Sequence, residues 1–232
     1  MKRRLIPVAV FIGCLLAMQA LAYIPPASFL LDRLASKRAK IGVSSLKVVM
    51  QCVHDGGSPR GETLYIKSKG HVRRERGKAG VIVCNNGRCY EKQPGGKPER
   101  LPRWAYLPYL YFAEPNANGS RYMGLLRSLG VDTGVDTITR CYSRLAFVLG
   151  AKNWERDRPQ FWLDKDIYLP LRLMVRHEKS LVDILWIDWG SKKGGDWFPS
   201  KMEIRIDGKT VERCEISDVK TGVSMPKSLF KP

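Results

Sequence analysis

The last third of the sequence alternates between apolar and polar residues with a period of two, and this pattern constrains the fold more than any other feature. In Lys201 to Ile206 every second residue is apolar, which is typical of a strand with one buried face and one solvated face. Asp207-Gly208 follows and predicts a tight hairpin. The strands predicted for this region are Phe161 to Leu163, Leu171 to Val175, Leu181 to Trp189, Lys201 to Ile206 and Thr210 to Val219. A sheet of this kind must cover its apolar face, so the nature of the cover is the central question.

The first part of the chain predicts further strands and a hairpin that carries two cysteines. Asn86-Gly87 fits a two-residue type I′ turn, which would place Cys84 directly opposite Cys89 in a non-hydrogen-bonded pair. The Cα atoms of such a pair lie about 4.5 Å apart, at the short end of disulfide geometry, so a cross-strand disulfide is predicted; reduced thiols or other pairings are the alternative. The strands predicted here are Ser44 to Val53, Glu62 to Lys67, His71 to Arg76, Gly80 to Cys84, Cys89 to Gln93 and Thr137 to Leu149.

Three stretches predict helices that could form the cover. An amphipathic helix is expected from about Pro26 to Lys37. Trp104 to Phe112 is rich in aromatic residues and breaks the strand pattern. A third helix is expected between Ser120 as N-cap and Gly130 as C-cap. The aromatic stretch and the third helix would form either an ordinary core-covering layer or a lid over an apolar pocket.

The N-terminus has the pattern of a cleavable export signal. Lys2 to Arg4 form a basic segment, and Leu5 to Leu16 form an apolar segment that is too short to span a bilayer. Ala20-Leu21-Ala22 is a small-x-small cleavage site. We therefore expect a signal peptide at residues 1–22, a single domain at residues 23–232 and a periplasmic location. An uncleaved anchor or a lipoprotein signal that uses Cys14 is the alternative.

Export would place the remaining cysteines in an oxidising compartment. Besides the hairpin pair, Cys52, Cys141 and Cys214 allow one further bridge and leave one odd thiol. The sequence does not choose among the three pairings.

The strongly basic charge points to anionic partners. The formal net charge is +18, and it becomes +15 without the signal segment, which contains three of the 40 Lys and Arg residues and none of the 22 acidic ones. An exported basic protein more naturally meets lipid headgroups or acidic proteins than nucleic acid. Arg73, Arg74 and Arg76 form a candidate basic patch, for which a solvated face or a protected edge strand is the alternative.

The search for catalytic and metal-binding patterns is nearly empty. His54, His71 and His177 are the three histidines, and none has the spacing of a metal ligand set. We expect no enzyme activity, no cofactor and no metal site. A distant alternative is an exported hydrolase with Asp164 and Asp188 as a carboxylate pair facing a cleft.

Three passages of this chain resemble the bacterial LolA/LolB-type lipoprotein-carrier superfamily, which also includes envelope-stress sensors of the RseB type. Carriers of this type often have an Arg-Pro step near the second strand, whereas this chain has Lys67-Ser68-Lys69-Gly70. The passages are the hairpin from Val81 to Tyr90, the strand pair of Phe161-Trp162-Leu163-Asp164 with Leu169-Pro170-Leu171-Arg172-Leu173, and the closing strands from Phe198-Pro199 to Met225-Pro226 and Phe230.

The resemblance implies an α+β fold, namely a single curved, incomplete antiparallel β-barrel of about 10–11 strands, with helices covering its open, concave side. It also implies a carrier that shelters acyl chains in a hydrophobic cavity for transfer towards the outer membrane. Within that fold, alternation predicts that Val48, Met50, Phe147, Leu173, Leu185 and Ile204 line the cavity, and that Tyr106, Leu110, Leu125 and Leu126 form the lid.

The expected partners are lipoprotein acyl chains or phospholipid, together with an anionic membrane surface or an inner-membrane protein. We expect a monomer that does not bind nucleic acid. A periplasmic interaction or envelope-stress sensor protein on the same scaffold is the alternative, motivated by the basic strand and the missing Arg-Pro step.

Overall fold

One antiparallel sheet connects nearly all of the described chain. The structure is a computed structural model that describes residues 24–68, 70–114 and 117–231. The described residues form 13 strands in the order β6-β5-β4-β3-β2-β1-β13-β12-β11-β10-β9-β8-β7, so β6 and β7 remain unjoined edges of an incomplete barrel. The strands are β1 Ser45–His54, β2 Arg60–Lys67, β3 His71–Glu75, β4 Val81–Asn85, β5 Arg88–Lys92, β6 Glu99–Arg100, β7 Asp136–Cys141, β8 Arg144–Leu149, β9 Gln160–Asp164, β10 Pro170–His177, β11 Ser180–Ile187, β12 Lys201–Ile206 and β13 Lys209–Thr221.

The incomplete antiparallel barrel confirms the predicted fold class, although the sheet has more strands than expected. The single strand predicted from Thr137 to Leu149 is a hairpin, because Tyr142 takes a positive φ of 54° and reverses the chain between β7 and β8. The two-residue strand β6 adds a further edge. The predicted signal peptide, residues 1–22, lies outside the described residues.

The two predicted hairpin turns have the expected backbone. Asn86 and Gly87 have φ values of 50° and 80°, and Asp207 and Gly208 have values of 51° and 80°. Positive φ at both central residues is the requirement of a type I′ turn, which matches the twist of the flanking strands. Cys84 accordingly pairs with Cys89 in the β4–β5 ladder.

Helices lie over one face of the sheet. They are α1 Ala27–Ile41, α2 Leu110–Ala113 and α3 Gly119–Ser128, and a 3₁₀ segment at Arg103–Tyr109 leads directly into α2. Helix α1 buries Leu30, Leu31 and Leu34 on the apolar face that the sequence predicts, and it packs against α3. Among the helices of the described ranges, none is sufficiently long and apolar to cross a bilayer.

Helix α3 begins two residues earlier than predicted. The side chain of Asn118 accepts a hydrogen bond from the backbone N–H of Arg121 at 2.8 Å, so Asn118 and not Ser120 is the N-cap. The first residue of the helix is Gly119, where a Cβ atom would clash with Asp32 of α1. Glycine at this position therefore permits the close approach of the two helices.

Candidate functional site

The concave face of the sheet forms a continuous apolar floor. Strand β1 contributes Val48 and Met50, both fully buried. Leu173 lies opposite Ile184, which in turn lies opposite Ile204, so neighbouring strands present apolar side chains to the same side. These residues belong to one buried cluster that also contains the apolar faces of α1 and α3.

The structure brings together five of the six residues that the sequence predicts for the cavity, namely Val48, Met50, Phe147, Leu173 and Ile204. Leu185 is the exception. It is paired with Arg172 and Glu203, so its side chain lies on the opposite face of the sheet, and the prediction for Leu185 is wrong. Strand β11 is apolar on both faces, and alternation therefore does not identify its inward side.

The 3₁₀ segment and α2 together form what we call the cover, residues Arg103 to Ala113. Proline at position 108 has no backbone N–H to donate, which favours an irregular segment over one long helix. Phe112 of the cover stacks on Phe198 at a ring distance of 4.4 Å and on Trp189 at 5.9 Å. The large side chains that the cover buries against the floor are Tyr106, Leu107, Tyr109, Leu110, Tyr111 and Phe112.

Hydrogen bonds from three buried side chains hold the cover to the rest of the protein. The indole N–H of Trp186 donates to the carbonyl of Pro108 at 3.1 Å, and Arg38 of α1 donates to the carbonyl of Phe112 at 3.0 Å. Arg74 of β3 donates to the hydroxyl of Tyr109 at 3.0 Å. None of these contacts was predicted, because each joins residues that are far apart in the sequence and carries no local pattern.

The cover fills the space above the floor. Leu110, Leu125 and Leu126, three of the four predicted lid residues, line a gap of about 20 Å³ together with Leu173. The fourth, Tyr106, is buried at the side of the cover. A gap of this size holds about one water molecule, so the expected open cavity is absent from this closed arrangement of the described residues.

Two buried hydroxyls of the cover are poorly satisfied. Those of Tyr106 and Tyr111 have no hydrogen-bond partner within the part of the chain that the structure describes. Burial raises the pKa of both tyrosines, which keeps them protonated. A buried polar group without a partner costs about 1–3 kcal/mol, so the closed packing of the cover is not optimal.

Arg74 is the centre of a buried polar network at one end of the floor. Its guanidinium donates to Glu62 at 2.6 Å and to Glu212 at 2.8 Å, besides the contact with Tyr109. His54 completes the network through contacts of 2.7 Å to Glu62 and 3.4 Å to Glu212. Since Arg74 is only 2% exposed, these partners compensate the loss of water around its charge.

Arg73, Arg74 and Arg76 do not form a free cationic surface, so the predicted basic patch is wrong. Arg74 points to the concave side, whereas Arg73 lies on the other face and pairs with Glu75 at 2.9 Å. Arg76 pairs with Glu91. Each of the three arginines has an acidic partner, and period two along β3 places Arg73 and Arg74 on opposite faces.

The residues proposed for a hydrolase do not form a carboxylate pair in a cleft. Asp164 is fully buried, accepts hydrogen bonds from the backbone of Asp166 and Ile167, and pairs with Arg144. Asp188 is exposed. The oxygens of Asp164 are thus already used to build the turn after β9.

One group of side chains has the composition of a metal site. Ligand atoms of Cys52, His54 and Glu62 lie within 4.8 Å of one another. Cys52 lies at disulfide bonding distance from Cys214, and Glu62 is occupied by Arg74 and His54. These contacts use the atoms that a metal ion would require.

Two cysteine pairs have the geometry of disulfides. Cys84 and Cys89 lie directly across the β4–β5 hairpin, with Cα atoms 4.0 Å apart. Cys52 of β1 and Cys214 of β13 lie opposite each other with Cα atoms 4.1 Å apart, leaving Cys141 as the odd thiol. The second pairing was one of three that the sequence left open.

Comparisons with known proteins find similarity in structure alone. No protein-family model and no curated protein sequence matches the chain significantly. A LolA superfamily protein from Nitrosomonas europaea has a TM-score of 0.52 at 12% identity, over 90% of this chain and 99% of the other. A putative outer membrane lipoprotein-sorting protein domain from Vibrio parahaemolyticus has a TM-score of 0.53 at 12% identity, over 86% and 95%. A DUF1329 family protein from Desulfovibrio piger has a TM-score of 0.54 at 15% identity, over 90% and 98%.

These similarities extend over nearly the whole length of both partners, and they agree with the open 13-stranded sheet and its helical cover. At identities of 12–15% they concern the fold and carry no residue-level assignment. The chain therefore has the fold of the LolA superfamily.

Proposed function

We propose that the protein is a periplasmic carrier that shelters the acyl chains of a lipoprotein or lipid between the floor and the cover, for transfer towards the outer membrane. The location rests on the predicted signal peptide at residues 1–22. The observation that carries the proposal is that a single apolar cluster spans the concave face, the cover and the helices α1 and α3. A guest chain would take the place of the cover's side chains.

Several features of the cover favour its displacement. It is a short irregular segment rather than a long helix, and it leaves two buried tyrosine hydroxyls without a protein partner in the described chain. Its polar anchors are few: the side chains of Trp186, Arg38 and Arg74 donate to it, and the backbone N–H of Gly70 donates to the carbonyl of Ala113 at 3.0 Å. These features lower the free energy that opening the cover costs, but its buried apolar side chains must still be replaced by a guest of similar burial energy.

The free energy gained by burying the cover's side chains is of the same order as that gained by burying one acyl chain. Each of the six large side chains that the cover buries contributes about 1.5–3 kcal/mol, or about 9–18 kcal/mol together. An acyl chain of about 15 methylenes contributes about 12 kcal/mol at about 0.8 kcal/mol each. One chain therefore roughly balances the cover, and a guest with two or more chains would displace it more readily.

The experiment is an uptake measurement on protein purified without detergent. Native mass spectrometry should detect co-purified lipid, and the delipidated protein should take up a fluorescent fatty acid. Trp186→Phe removes the hydrogen bond to Pro108 of the cover and should accelerate uptake. Absence of both co-purified lipid and uptake would contradict the proposal.

Trp189→Phe is the matched control. Trp189 is also a buried tryptophan whose indole N–H donates to a backbone carbonyl, but its acceptor is Pro170 of β10, at 2.8 Å. Its ring also stacks on Phe112 of the cover, and phenylalanine keeps an aromatic ring there, so the variant removes only a hydrogen bond that does not reach the cover. Loss of the bond to Pro170 should therefore accelerate uptake less than loss of the Trp186 bond. Equal acceleration by the two variants would show that general loosening, and not release of the cover, is responsible.

The alternative of an interaction or sensor protein loses its main motivation. It rested on a basic strand, of which Arg73, Arg74 and Arg76 are all paired, and on the missing Arg-Pro step, which by itself indicates no partner. We therefore retain the carrier as the single proposed function.

A further inference from the structure

A second, outer cleft lies beside the cover and combines cationic with apolar walls. Its volume is about 490 Å³, within the range of small-molecule sites. It is bounded by the turn of the β4–β5 hairpin, strand β6, the cover and α3. The residues that line it are Asn86, Gly87, Arg88, Arg100, Leu101, Arg103, Tyr106, Leu107, Leu110, Glu114, Arg121 and Leu125.

The charges of this cleft are unbalanced. Four guanidinium groups face one carboxylate, and that carboxylate, Glu114, pairs with Arg121 at 3.0 Å. Arg88, Arg100 and Arg103 form no ion pair with any described residue, and all three are exposed. Three unpaired cations from three separate elements, β5, β6 and the start of the cover, therefore converge on one cleft.

The apolar wall connects the cleft to the interior. Leu110 of the cover and Leu125 of α3 line this cleft and also the small gap above the floor. The same two residues line an adjoining cleft of about 250 Å³ along α3. Leu110 and Leu125 thus separate the cationic rim from the space in which acyl chains would lie.

We propose that this cleft binds the phosphate headgroup of an anionic lipid while its acyl chains pass between Leu110 and Leu125. The inference rests on the proposed carrier function and extends it by naming the class of guest. Guanidinium groups bind phosphate through paired, charge-assisted hydrogen bonds. Arg88, Arg100 and Arg103 supply these donors, and the leucines of the opposite wall accept the first methylenes.

The test compares two lipids that differ only in the headgroup. Dioctanoyl phosphatidic acid and dioctanoyl phosphatidylcholine are titrated below their micelle concentrations at about physiological ionic strength, because exposed charges are screened by salt. The wild-type protein should bind phosphatidic acid at least about tenfold more tightly, as expected for one or more charge-assisted hydrogen bonds. The triple variant Arg88→Gln, Arg100→Gln and Arg103→Gln should lose this preference, with a much smaller change in the affinity for phosphatidylcholine, whose phosphate charge is balanced by choline.

A second triple variant controls for net charge. Arg60→Gln, Arg140→Gln and Lys209→Gln remove the same formal charge from exposed positions away from the cleft, and this variant should keep the preference. If the cleft variant does not fold, Arg88→Gln and Arg103→Gln are measured singly, and each should reduce the preference.

The remaining outcomes separate the two proposals. Equal affinity for both lipids in the wild type, or an unchanged preference in the cleft variant, would overturn the headgroup site and leave the carrier intact. Binding of neither lipid would contradict the carrier function and the headgroup site with it. Inorganic phosphate that binds as tightly as phosphatidic acid would overturn the lipid site in favour of a site for a free anion.

Discussion

Arg74 shows how the role of a residue depends on the face of the strand that it occupies. It follows Arg73 directly in β3, yet only Arg74 turns to the concave side, where it contacts Glu62, Glu212 and Tyr109. A buried charge is tolerated there because both carboxylates and the hydroxyl surround it. Arg74 thereby connects the floor to the cover.

Replacement of the two neighbouring arginines should have very different effects. Arg74→Met removes the guanidinium from Glu62 and Glu212, which keep only His54 beside them, and should lower the free energy of unfolding by about 3–5 kcal/mol. Arg73→Met removes a partly exposed ion pair and should change it by less than about 1 kcal/mol. Urea unfolding measures both values. Equal effects would show that the Arg74 network does not contribute as described.

Glu62 makes the stability dependent on pH. Burial alone would raise its pKa, but the hydrogen bond with His54 and the charge and hydrogen bond of Arg74 outweigh this effect and leave the pKa below the usual 4.5. A carboxyl whose pKa is lowered by folding stabilises the protein above its unfolded-state pKa, and this stabilisation is lost as the pH falls through the lowered value.

The free energy of unfolding should therefore fall from about pH 5 downwards, when it is followed from about pH 7 to about pH 3. Glu62→Gln should flatten this decline, whereas Glu215→Gln, at an exposed position of β13, should not. Parallel declines in the wild type and in the Glu62 variant would contradict the assignment.

At the scale of elements, the cover and α3 are organised by their ends. Pro108 keeps the cover from becoming one continuous helix, and Gly119 lets α3 begin close to Asp32 of α1. The first turn of α3 is held by the side chain of Asn118. The placement of Leu125 and Leu126 at the edge of the interior depends on this helix.

Loss of the cap should weaken α3 measurably. Asn118→Ala should lower the free energy of unfolding by about 1 kcal/mol, because the N–H of Arg121 loses its acceptor. Ser120→Ala is the control, since Ser120 already lies inside the helix. Hydrogen exchange at residues 119–128 should accelerate in the Asn118 variant alone. A larger loss of stability in the Ser120 variant would show that Ser120, as the sequence predicted, is the N-cap.

At the scale of the whole molecule, β1 and β13 join the two halves of the sheet. They pair along their lengths, and Cys52 faces Cys214 across them, 162 residues apart in sequence. The hairpin pair Cys84 and Cys89 is separated by only 5 residues. A bond that closes a long loop restricts the unfolded chain more strongly than one that closes a short loop.

The two bridges should therefore contribute unequally. In the chain-entropy description the long-range bond contributes about 5 kcal/mol and the hairpin bond about 2 kcal/mol. Replacement of both cysteines of each pair by serine, followed by urea unfolding, measures the two contributions. Peptide mapping without reductant should find both links, and a different pairing that includes Cys141 would contradict the prediction.

The sequence by itself determined the features that depend on neighbouring residues. Alternation along β12 identified its buried face, because the side chains of a strand point to opposite sides in turn. Asn86-Gly87 and Asp207-Gly208 marked hairpins, since residues that tolerate positive φ are required there. The antiparallel sheet, its helical cover and most of the floor could be predicted from such local rules.

Only the tertiary structure decided the features that depend on distant contacts. The inward face of β11, the burial of Arg74 and the pairing of Cys52 with Cys214 each follow from which strands become neighbours. The convergence of Arg88 and Arg103 on one cleft and the filled space beneath the cover have the same origin. Packing brings these side chains together from separate elements, and no spacing along the chain encodes their distance.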